Sequence, residues 1–231
     1  MAKPATKRIS DRRPNAGLGN APQPAAASGR GGARAKRSAE RRDAILAAAL
    51  EEFSASGFAA ARLDDVARRA GVAKGTIYLH FADKEALFQE LIRHELSPIV
   101  GILEQAAHTD VPVDVIVHRL IEMFVSQVYD THRKDVIRLI ITEGARFPKL
   151  AEFYYREVLA RVTKAMREVM RRGVERGEIK HDALARFPQL LVAPAILALI
   201  WNGLFDKFEP LDVRALMRAH CDLILQNGRA A

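Results

Sequence analysis

The sequence predicts an all-α protein with two helical regions. Apolar residues recur at the three-and-four spacing of amphipathic helices along most of the chain, and Gly or Pro separates these runs. No alternating apolar pattern and no β-branched run bounded by turns indicates a strand. With 231 residues, of which 49% are hydrophobic, the chain is long enough to bury a large core and to hold both regions.

Residues 63–81 have the pattern of two short helices joined by a tight turn. Apolar residues at helical spacing indicate the first helix, and these are Leu63, Val66, Ala67 and Ala70. Gly71 follows, at the point where a helix end needs a left-handed residue. Val72 and Ile77 occupy the two positions of a hydrophobic staple, which fixes the angle of the second helix. The segment therefore has the pattern of a helix-turn-helix.

The second helix of this motif leaves several side chains facing outward, and their chemistry favours DNA as the partner. Lys74 brings a cation to a phosphate or a guanine, and Gly75 adds no side chain where DNA must approach closely. Thr76 offers a hydroxyl and a methyl group, Tyr78 a long arm that ends in a hydroxyl, and His80 a phosphate donor. The alternative is a helical hairpin whose polar residues are merely solvated.

A further helix is predicted to begin after Phe81. Asp83 is its expected N-cap, so Lys84 lies in the first turn beside free backbone N–H groups. Such groups form a ready phosphate site. Together with the motif, this helix N-terminus adds to the expected DNA-binding surface.

Residues 41–96 resemble the DNA-binding domain of the TetR/AcrR repressor family. The resemblance is collinear and rests on residues 41–49, Phe53, Gly57, Phe58, the whole helix-turn-helix and residues 83–88. It implies a first helix at about 39–56, a supporting second helix and a third helix that reads the major groove. The fourth helix, at about 84–106, would lead into an effector domain.

The family's DNA contacts carry over to Lys74, Gly75, Thr76, Tyr78, His80 and Lys84. Two positions depart from the family pattern, because Arg62 and Ala73 stand where Thr or Ser commonly caps the second and third helices. Each lost cap costs on the order of 1 kcal/mol. Asp64 and Asp65 partly compensate through the helix dipole, and Arg62 is itself a candidate phosphate contact.

The positive charge of the chain is concentrated in residues 1–37. This segment has nine Lys or Arg against Asp11 alone, so its net charge of +8 equals that of the whole chain. It is rich in Pro, Gly and Ala without apolar periodicity, which predicts a disordered basic arm. The arm either tethers the protein to DNA phosphates or the minor groove, or is a solubilising extension. Residues 38–96, the expected DNA-binding domain, carry eight Lys or Arg and ten Asp or Glu.

Residues 97–231 are predicted to form a helical domain for effector binding and dimerisation. Apolar spacing and breaks at Gly or Pro indicate helices at about 112–128, 134–146 and 148–177, then one ending near 205 and one starting at Asp212. The whole chain would then have about nine helices.

The family resemblance implies a ligand pocket between the central helices, and pairing of the last two helices with a second subunit. The expected dimer surface consists of Leu197, Ile200, Trp201, Phe205, Leu216, Leu223 and Ile224. Each candidate pocket residue fits a core or surface position better than a ligand contact, because binding pockets are mostly apolar and resemble core in a sequence. The candidates are Phe124, Ile141, Phe147, Tyr154, Tyr155 and Trp201, with Arg138 and Glu143 as polar anchors.

Other classes of function lack support in the sequence. The seven His residues show no metal-ligand spacing with Cys or acidic residues, and no nucleophile elbow or Gly-rich phosphate loop is present. We therefore expect no metal, no cofactor and no enzymatic activity. The longest apolar run, residues 190–201, is shorter than the ~20 residues that span a bilayer and contains Pro194. With no apolar signal segment and with Cys221 alone, we expect a cytoplasmic protein without membrane contact.

The sequence favours a homodimeric repressor that binds double-stranded DNA at a near-palindromic operator. A small apolar or amphiphilic effector in the C-terminal domain would release it, provided that the effector binds the released conformation more tightly. The alternative is an architectural or cell-division-type DNA-binding dimer without a small-molecule effector. An empty cavity in the C-terminal domain would favour the first hypothesis.

Overall fold

The computed structural model describes Met1 and residues 28–226, and these residues form helices and connecting segments without a strand. The α-helices are α1 (Ser28–Ala60), α2 (Leu63–Arg69), α3 (Lys74–His80), α4 (Lys84–Ala107), α5 (Val113–Phe124), α6 (Arg133–Glu143), α7 (Pro148–Tyr154), α8 (Ala160–Glu175), α9 (Ala183–Arg186), α10 (Gln189–Leu204) and α11 (Val213–Gln226). Two π-helical turns, Val125–Tyr129 and Tyr155–Leu159, follow α5 and α7. The predicted all-α class is confirmed.

The described residues divide into two units, one up to Glu40 and one from Arg41 onward. Within the first unit, α1 begins at Ser28, so residues 28–37 are helical and the prediction of disorder for them is wrong. Helix formation there is consistent with Ala, Arg and Lys, which have high helix propensity. The remainder of the predicted arm, residues 2–27, lies outside the described residues.

The helix-turn-helix has the predicted backbone. Gly71 has a φ of 64°, the left-handed conformation that ends α2 and turns the chain toward α3. As expected, the side chains of Arg62 and Ala73 cap neither α2 nor α3. These two short helices are instead held by tertiary packing, since Val66 and Ile77 are completely buried in the core beneath them.

An aromatic cluster joins the helix-turn-helix region to the C-terminal domain. Phe53 and Phe58 of α1 lie 5.2 and 5.4 Å from Phe88 of α4, measured between ring centroids, and all three rings are buried. Phe147, which precedes α7, packs edge-on against Phe58 at 4.7 Å. Such edge-to-face pairs add about 0.5–1.5 kcal/mol each beyond the area they bury.

Helix α4 belongs to both hydrophobic cores. Its 24 residues give a length of about 36 Å, and Asp83 caps it as predicted by accepting a 2.7 Å hydrogen bond from the Ala86 N–H. Leu87 at the N-terminal end is buried with α1 and α2, whereas Leu103 near the C-terminal end is buried with α5 and α8. Any tilt of α4 therefore changes both cores.

The buried carboxylate of Glu95 ties α1, α4 and α6 together. Glu95 Oε2 lies 2.9 Å from His132 Nε2, and Glu95 Oε1 lies 3.0 Å from His94 Nδ1. His94 Nε2 is 3.3 Å from Asp43 Oδ1 of α1. Arg133, at the start of α6, donates to the Glu95 carbonyl at 2.9 Å. These partners offset the cost of burying an acidic side chain.

The C-terminal domain differs from its prediction mainly in helix count. The predicted helix at 148–177 is divided by a π-helical turn into α7 and α8, and α9 is an additional short helix. The structure therefore has eleven α-helical segments within the described residues, against about nine predicted. A π turn changes the hydrogen-bond register without ending the helix, and apolar spacing does not reveal such a change. Asp212 caps α11 as predicted and accepts from the Ala215 N–H at 2.9 Å.

Stability should fall in acid because of Glu52, which is 5% exposed in α1. Arg69 and Ser56 donate to its two carboxylate oxygens at 2.8 and 2.9 Å. The Arg69 hydrogen bond lowers the pKa of Glu52 and outweighs burial, which acts in the opposite direction. A lowered folded-state pKa gives stability that is present above the ordinary carboxyl pKa of 4.5 and lost as the pH falls through the lower folded value.

Glu52→Gln should therefore lower the free energy of unfolding by about 1 kcal/mol at neutral pH and flatten its decline in acid. Thermal unfolding followed by circular dichroism from neutral pH to about pH 3 measures both effects. Glu152→Gln, at an exposed carboxylate of α7, is the matched control and should leave the curve unchanged. An unaltered acid transition in Glu52→Gln would contradict this account.

Candidate DNA-binding surface and effector cavity

One face of α3 is anchored and the rest of the helix is available to solvent. Ile77 is completely buried, Thr76 is half-buried, and Lys74, Gly75, Tyr78 and His80 are exposed, as predicted. Arg62, which precedes α2, is also exposed. Whether these residues touch DNA stays a prediction. Five of the predicted DNA contacts do lie together on the short helix α3, and these are Lys74, Gly75, Thr76, Tyr78 and His80.

Leu79 is a candidate contact that the sequence reasoning missed. Its side chain is 85% exposed, between Tyr78 and His80 on α3. An apolar side chain suits the C5-methyl group of thymine in the major groove. The sequence did carry a signal of this exposure, because Leu79 is two positions after the buried Ile77 and such a residue lies on the opposite side of a helix.

Lys74 is held by an ion pair between α2 and α3. Its Nζ donates to Asp64 Oδ2 at 2.7 Å and lies 6.0 Å from the centre of the Tyr78 ring. The hydrogen bond to Asp64 raises the pKa of Lys74. The other oxygen of Asp64, Oδ1, is buried without a hydrogen-bond partner among the described residues. A phosphate at Lys74 would compete with Asp64.

Lys84 forms contacts within the chain. Its Nζ donates to the carbonyls of Phe58 and Ala59 at 2.9 and 2.7 Å and lies 4.9 Å from the centre of the Phe58 ring. These carbonyls are at the C-terminal end of α1, where a cation is favourable. In this structure Lys84 therefore fastens the start of α4 to α1, and its contact with phosphate stays a prediction.

A cavity of about 130 Å³ lies inside the C-terminal domain, against the C-terminal half of α4. Phe124 and Tyr154, two of the predicted ligand-binding residues, line it, and their contact with a ligand stays a prediction. The contribution of α4, which the sequence reasoning missed, consists of Leu96, Ile99, Val100 and Leu103. These residues follow ordinary core spacing, so the sequence carries no signal that they border a void.

A second cavity of about 80 Å³ adjoins the first. The second extends to Cys221 of α11, and the two cavities share Leu120, Phe124, Met166, Val192 and Ala195. Burial raises the pKa of the Cys221 thiol to about 11. The thiol is therefore protonated at neutral pH and behaves as an apolar wall.

Four of the predicted pocket residues lie outside both cavities. Ile141 and Tyr155 are exposed at the surface. Phe147 belongs to the aromatic cluster at Phe58. The Trp201 indole packs against Phe205 at 5.2 Å and donates to the Glu209 carbonyl at 2.7 Å, so it fixes the turn between α10 and α11.

The predicted polar anchors are also absent from the cavity walls. Arg138 pairs with Asp135 at 3.4 Å and lies against the backbone of Gly203. Glu143 lies beside Gly57, whose φ of 73° interrupts α1. A helical pattern identifies which residues are apolar or amphipathic, but it does not show which buried face meets an unfilled space.

The last two long helices carry an exposed apolar surface. Leu197, Ile200 and Phe205 are exposed, and Leu223 is 63% exposed, as a dimer surface requires. Leu216 is half-buried and shares a groove with Leu197 and Leu223. Ile224, predicted for the same surface, instead lines the second cavity. The sequence reasoning missed two further exposed apolar residues, which are Leu204 and Phe208.

The part of the chain that the structure covers has no helix long and apolar enough to cross a membrane. Among the same residues, no group of three or more His, Cys, Asp or Glu side chains is arranged to hold a metal ion.

A helix-turn-helix joined to a helical domain that encloses a cavity defines a class of bacterial transcriptional regulators, and comparison with known proteins agrees. Residues 45–91 match the family described as bacterial regulatory proteins, tetR family, and residues 117–224 match the tetracyclin repressor-like C-terminal domain. The chain is 30% identical over 178 residues to the uncharacterized HTH-type transcriptional regulator YhgD of Bacillus subtilis, covering 76% of this chain and 90% of that relative. The chain belongs to the TetR family of DNA-binding transcriptional regulators, which confirms the resemblance.

Solved structures share the fold. The SmeT–triclosan complex superposes with a TM-score of 0.69 at 21% identity, covering 83% of this chain and 92% of that chain. FadR from Bacillus subtilis in complex with stearoyl-CoA superposes with a TM-score of 0.64 at 20% identity, covering 80% of this chain and 97% of that chain. The likeness extends over both the helix-turn-helix and the C-terminal helices.

Asp64→Asn should strengthen DNA binding, because it removes a negative charge from the α2–α3 surface and frees Lys74 for phosphate. We expect a two- to fivefold gain in affinity for random DNA and a salt dependence steeper by up to about one counterion. Fluorescence anisotropy with a labelled duplex at several salt concentrations gives both numbers. Asp182→Asn, at an exposed carboxylate before α9, is the control and should change neither. Weaker binding by Asp64→Asn would show that the ion pair positions Lys74 rather than competing for it.

Proposed function

We propose that this regulator is a homodimeric repressor that binds a near-palindromic operator and leaves it when a small apolar or amphiphilic effector enters the C-terminal cavity. The observation that carries the proposal is the double attachment of α4. Its first turn is fastened to α1 of the DNA-binding region through Lys84, and its C-terminal half forms one wall of the larger cavity. Helix α4 therefore contacts both the proposed effector cavity and the proposed DNA-binding region.

The proposed DNA contacts lie on and around α3. Tyr78, Leu79 and Thr76 would reach base edges, while positioning contacts to phosphate would come from Arg62, Lys74, Gly75, His80 and Lys84. The α3 backbone can approach the groove closely at Gly75, where an added Cβ would meet nothing within 4 Å. Since α3 has only seven residues, it can cover a few base pairs, and a second copy must supply the other half-site.

Dimerisation through α10 and α11 is supported by the apolar surface on these helices. Leu197, Ile200, Leu223 and the neighbouring Leu204 and Phe205 are all exposed, and this is a large apolar surface for a single soluble chain. Two-fold pairing of identical patches is the commonest way to cover such a surface. It would also hold two copies of α3 about 34–36 Å apart, one turn of DNA.

Release requires an effector that prefers a conformation in which the two α3 helices are wrongly spaced. A ligand that enlarges the cavity would push Leu96, Val100 and Leu103 and so tilt α4. That tilt reaches α1 through Lys84 and through the contact of Phe88 with Phe58. SmeT, described as the repressor of a multidrug efflux pump of Stenotrophomonas maltophilia, has a structure with triclosan, and FadR from Bacillus subtilis has one with stearoyl-CoA. Both ligands are consistent with an apolar or amphiphilic effector here.

Tyr78→Ala and Thr76→Ala should remove the preference for operator over random DNA and leave the fold intact, because neither side chain is buried in the core. The operator is first identified by sequencing the DNA fragments that the wild-type protein retains. The ratio of the affinity for operator to the affinity for random DNA, measured by titration at fixed salt, should fall at least about tenfold. Each good base contact is worth about 1–3 kcal/mol. Tyr155→Ala, an exposed Tyr far along the chain from α3, is the matched control. Unchanged operator preference in both variants would remove these residues from the reading surface.

Leu223→Glu should convert the dimer to a monomer, because it places a charge in the centre of the apolar surface of α10 and α11. Sedimentation equilibrium measures the mass, and operator affinity should fall by at least about a hundredfold with the loss of the second half-site. Val115→Glu, at an exposed apolar position of α5, is the control and should remain dimeric. A Leu223→Glu variant that stays dimeric would assign the interface to another surface.

A further inference from the structure

The larger cavity offers a bound molecule a single hydrogen-bonding group. Every side chain that lines it is a hydrocarbon or a thioether except that of Tyr154. Tyr154 is only 7% exposed, and burial alone raises the pKa of its hydroxyl, with no contribution from a hydrogen bond. A hydroxyl on an otherwise apolar wall offers a hydrogen bond to a ligand that carries an oxygen atom, so such a ligand gains affinity at this point.

The cavity walls carry no charge. Burial raises the pKa of Tyr154 to about 12, so its hydroxyl is a neutral hydrogen-bond donor and acceptor at physiological pH. Arg119 lines a neighbouring groove between α4 and α5, which shares Leu120 and Met123 with the cavity but lies outside it. A charged group inside the cavity would lose its hydration without an opposite charge to replace it.

The dimensions limit the size of the occupant. A volume of about 130 Å³ is close to the roughly 150 Å³ of an apolar protein cavity that binds benzene. The adjoining smaller cavity lies beyond Phe124 and Met166, and the flexible thioether of Met166 can move to admit a short chain. A single ring with a few further carbon atoms matches this space.

Both π-helical turns begin beside this cavity. One starts directly after Phe124 and the other directly after Tyr154, and Val128 and Val158 within the turns also line the cavity. Such turns are uncommon and occur frequently at functional sites. Their placement favours a functional role for this void.

We infer that the cavity binds a small neutral lipophile, a single ring with a short chain, whose one oxygen accepts a hydrogen bond from Tyr154 Oη. The inference rests on the proposed function for its regulatory consequence, since this molecule would be the effector. It names Tyr154 as the residue that selects between ligands of the same shape, and it excludes carboxylates as occupants of the cavity.

The test uses three probes of matched shape: butyrophenone, butylbenzene and 4-phenylbutanoate. Each is titrated calorimetrically into the full-length wild-type protein, Tyr154→Phe and Tyr155→Phe. Butyrophenone should bind Tyr154→Phe about fivefold more weakly than wild type, which corresponds to one neutral hydrogen bond. Butylbenzene should bind the wild-type protein and Tyr154→Phe with affinities equal within about twofold, because it forms no hydrogen bond with the hydroxyl. Tyr155→Phe, which loses an exposed hydroxyl next in sequence, should match wild type for every probe.

Several results would overturn the inference. One is an equal effect of Tyr154→Phe on the ketone and the hydrocarbon, another is tighter binding of 4-phenylbutanoate than of butyrophenone, and a third is failure of all three probes to bind. The proposed function is judged separately by operator titration with bound butyrophenone. If the ketone binds through Tyr154 but leaves operator affinity unchanged, the ligand chemistry stands and the effector role fails.

Discussion

The continuity of α4 is the constraint on which the rest of the structure depends. A single helix of 24 residues begins in the core of the DNA-binding region and ends in the core of the C-terminal domain. Lys84, Phe88 and Glu95 fix it to α1 or α6 along the way, through carbonyl hydrogen bonds, an aromatic cluster and a buried carboxylate. Pro98 lies within α4 and removes one backbone hydrogen bond, but the helix runs unbroken through both cores, so a displacement at one end affects the other. The cavity beside its C-terminal half therefore lies where small changes in occupancy have an effect at α1.

The helix-turn-helix depends on this support because its own local interactions are weak. Neither α2 nor α3 has a side-chain cap, and each has only seven residues, far fewer than a helix needs to be stable alone. Burial of Val66 and Ile77 against α1 and α4 holds them in place. The orientation of the reading helix is consequently set by the surrounding core. An effector that moves α4 would therefore change the orientation of α3.

The predictions made from sequence succeeded where one local rule decides the outcome. Gly71 adopts the left-handed conformation, and Asp83 and Asp212 cap their helices, because each depends on a few adjacent residues. Prediction of the pocket was less successful. Phe124 and Tyr154 line the cavity, whereas Trp201 and Phe147 pack into a turn and an aromatic cluster. Large aromatic residues fill core, turns and pockets with the same spacing, and each π-helical turn changes the hydrogen-bond register of the residues that follow it.

The sequence by itself determined the all-α class, the helix-turn-helix, the outward chemistry of α3 and the family of regulators, since these follow from periodicity, turn residues and collinear motifs. Tertiary structure alone decided the remainder. It showed that Lys74 is engaged by Asp64 and Lys84 by the end of α1, and that Leu79 is exposed. It also left a void between helices, and among the described residues that line this void Tyr154 alone carries a polar side-chain group. A void is a property of how several surfaces fail to meet, and no pattern along one helix encodes that mismatch.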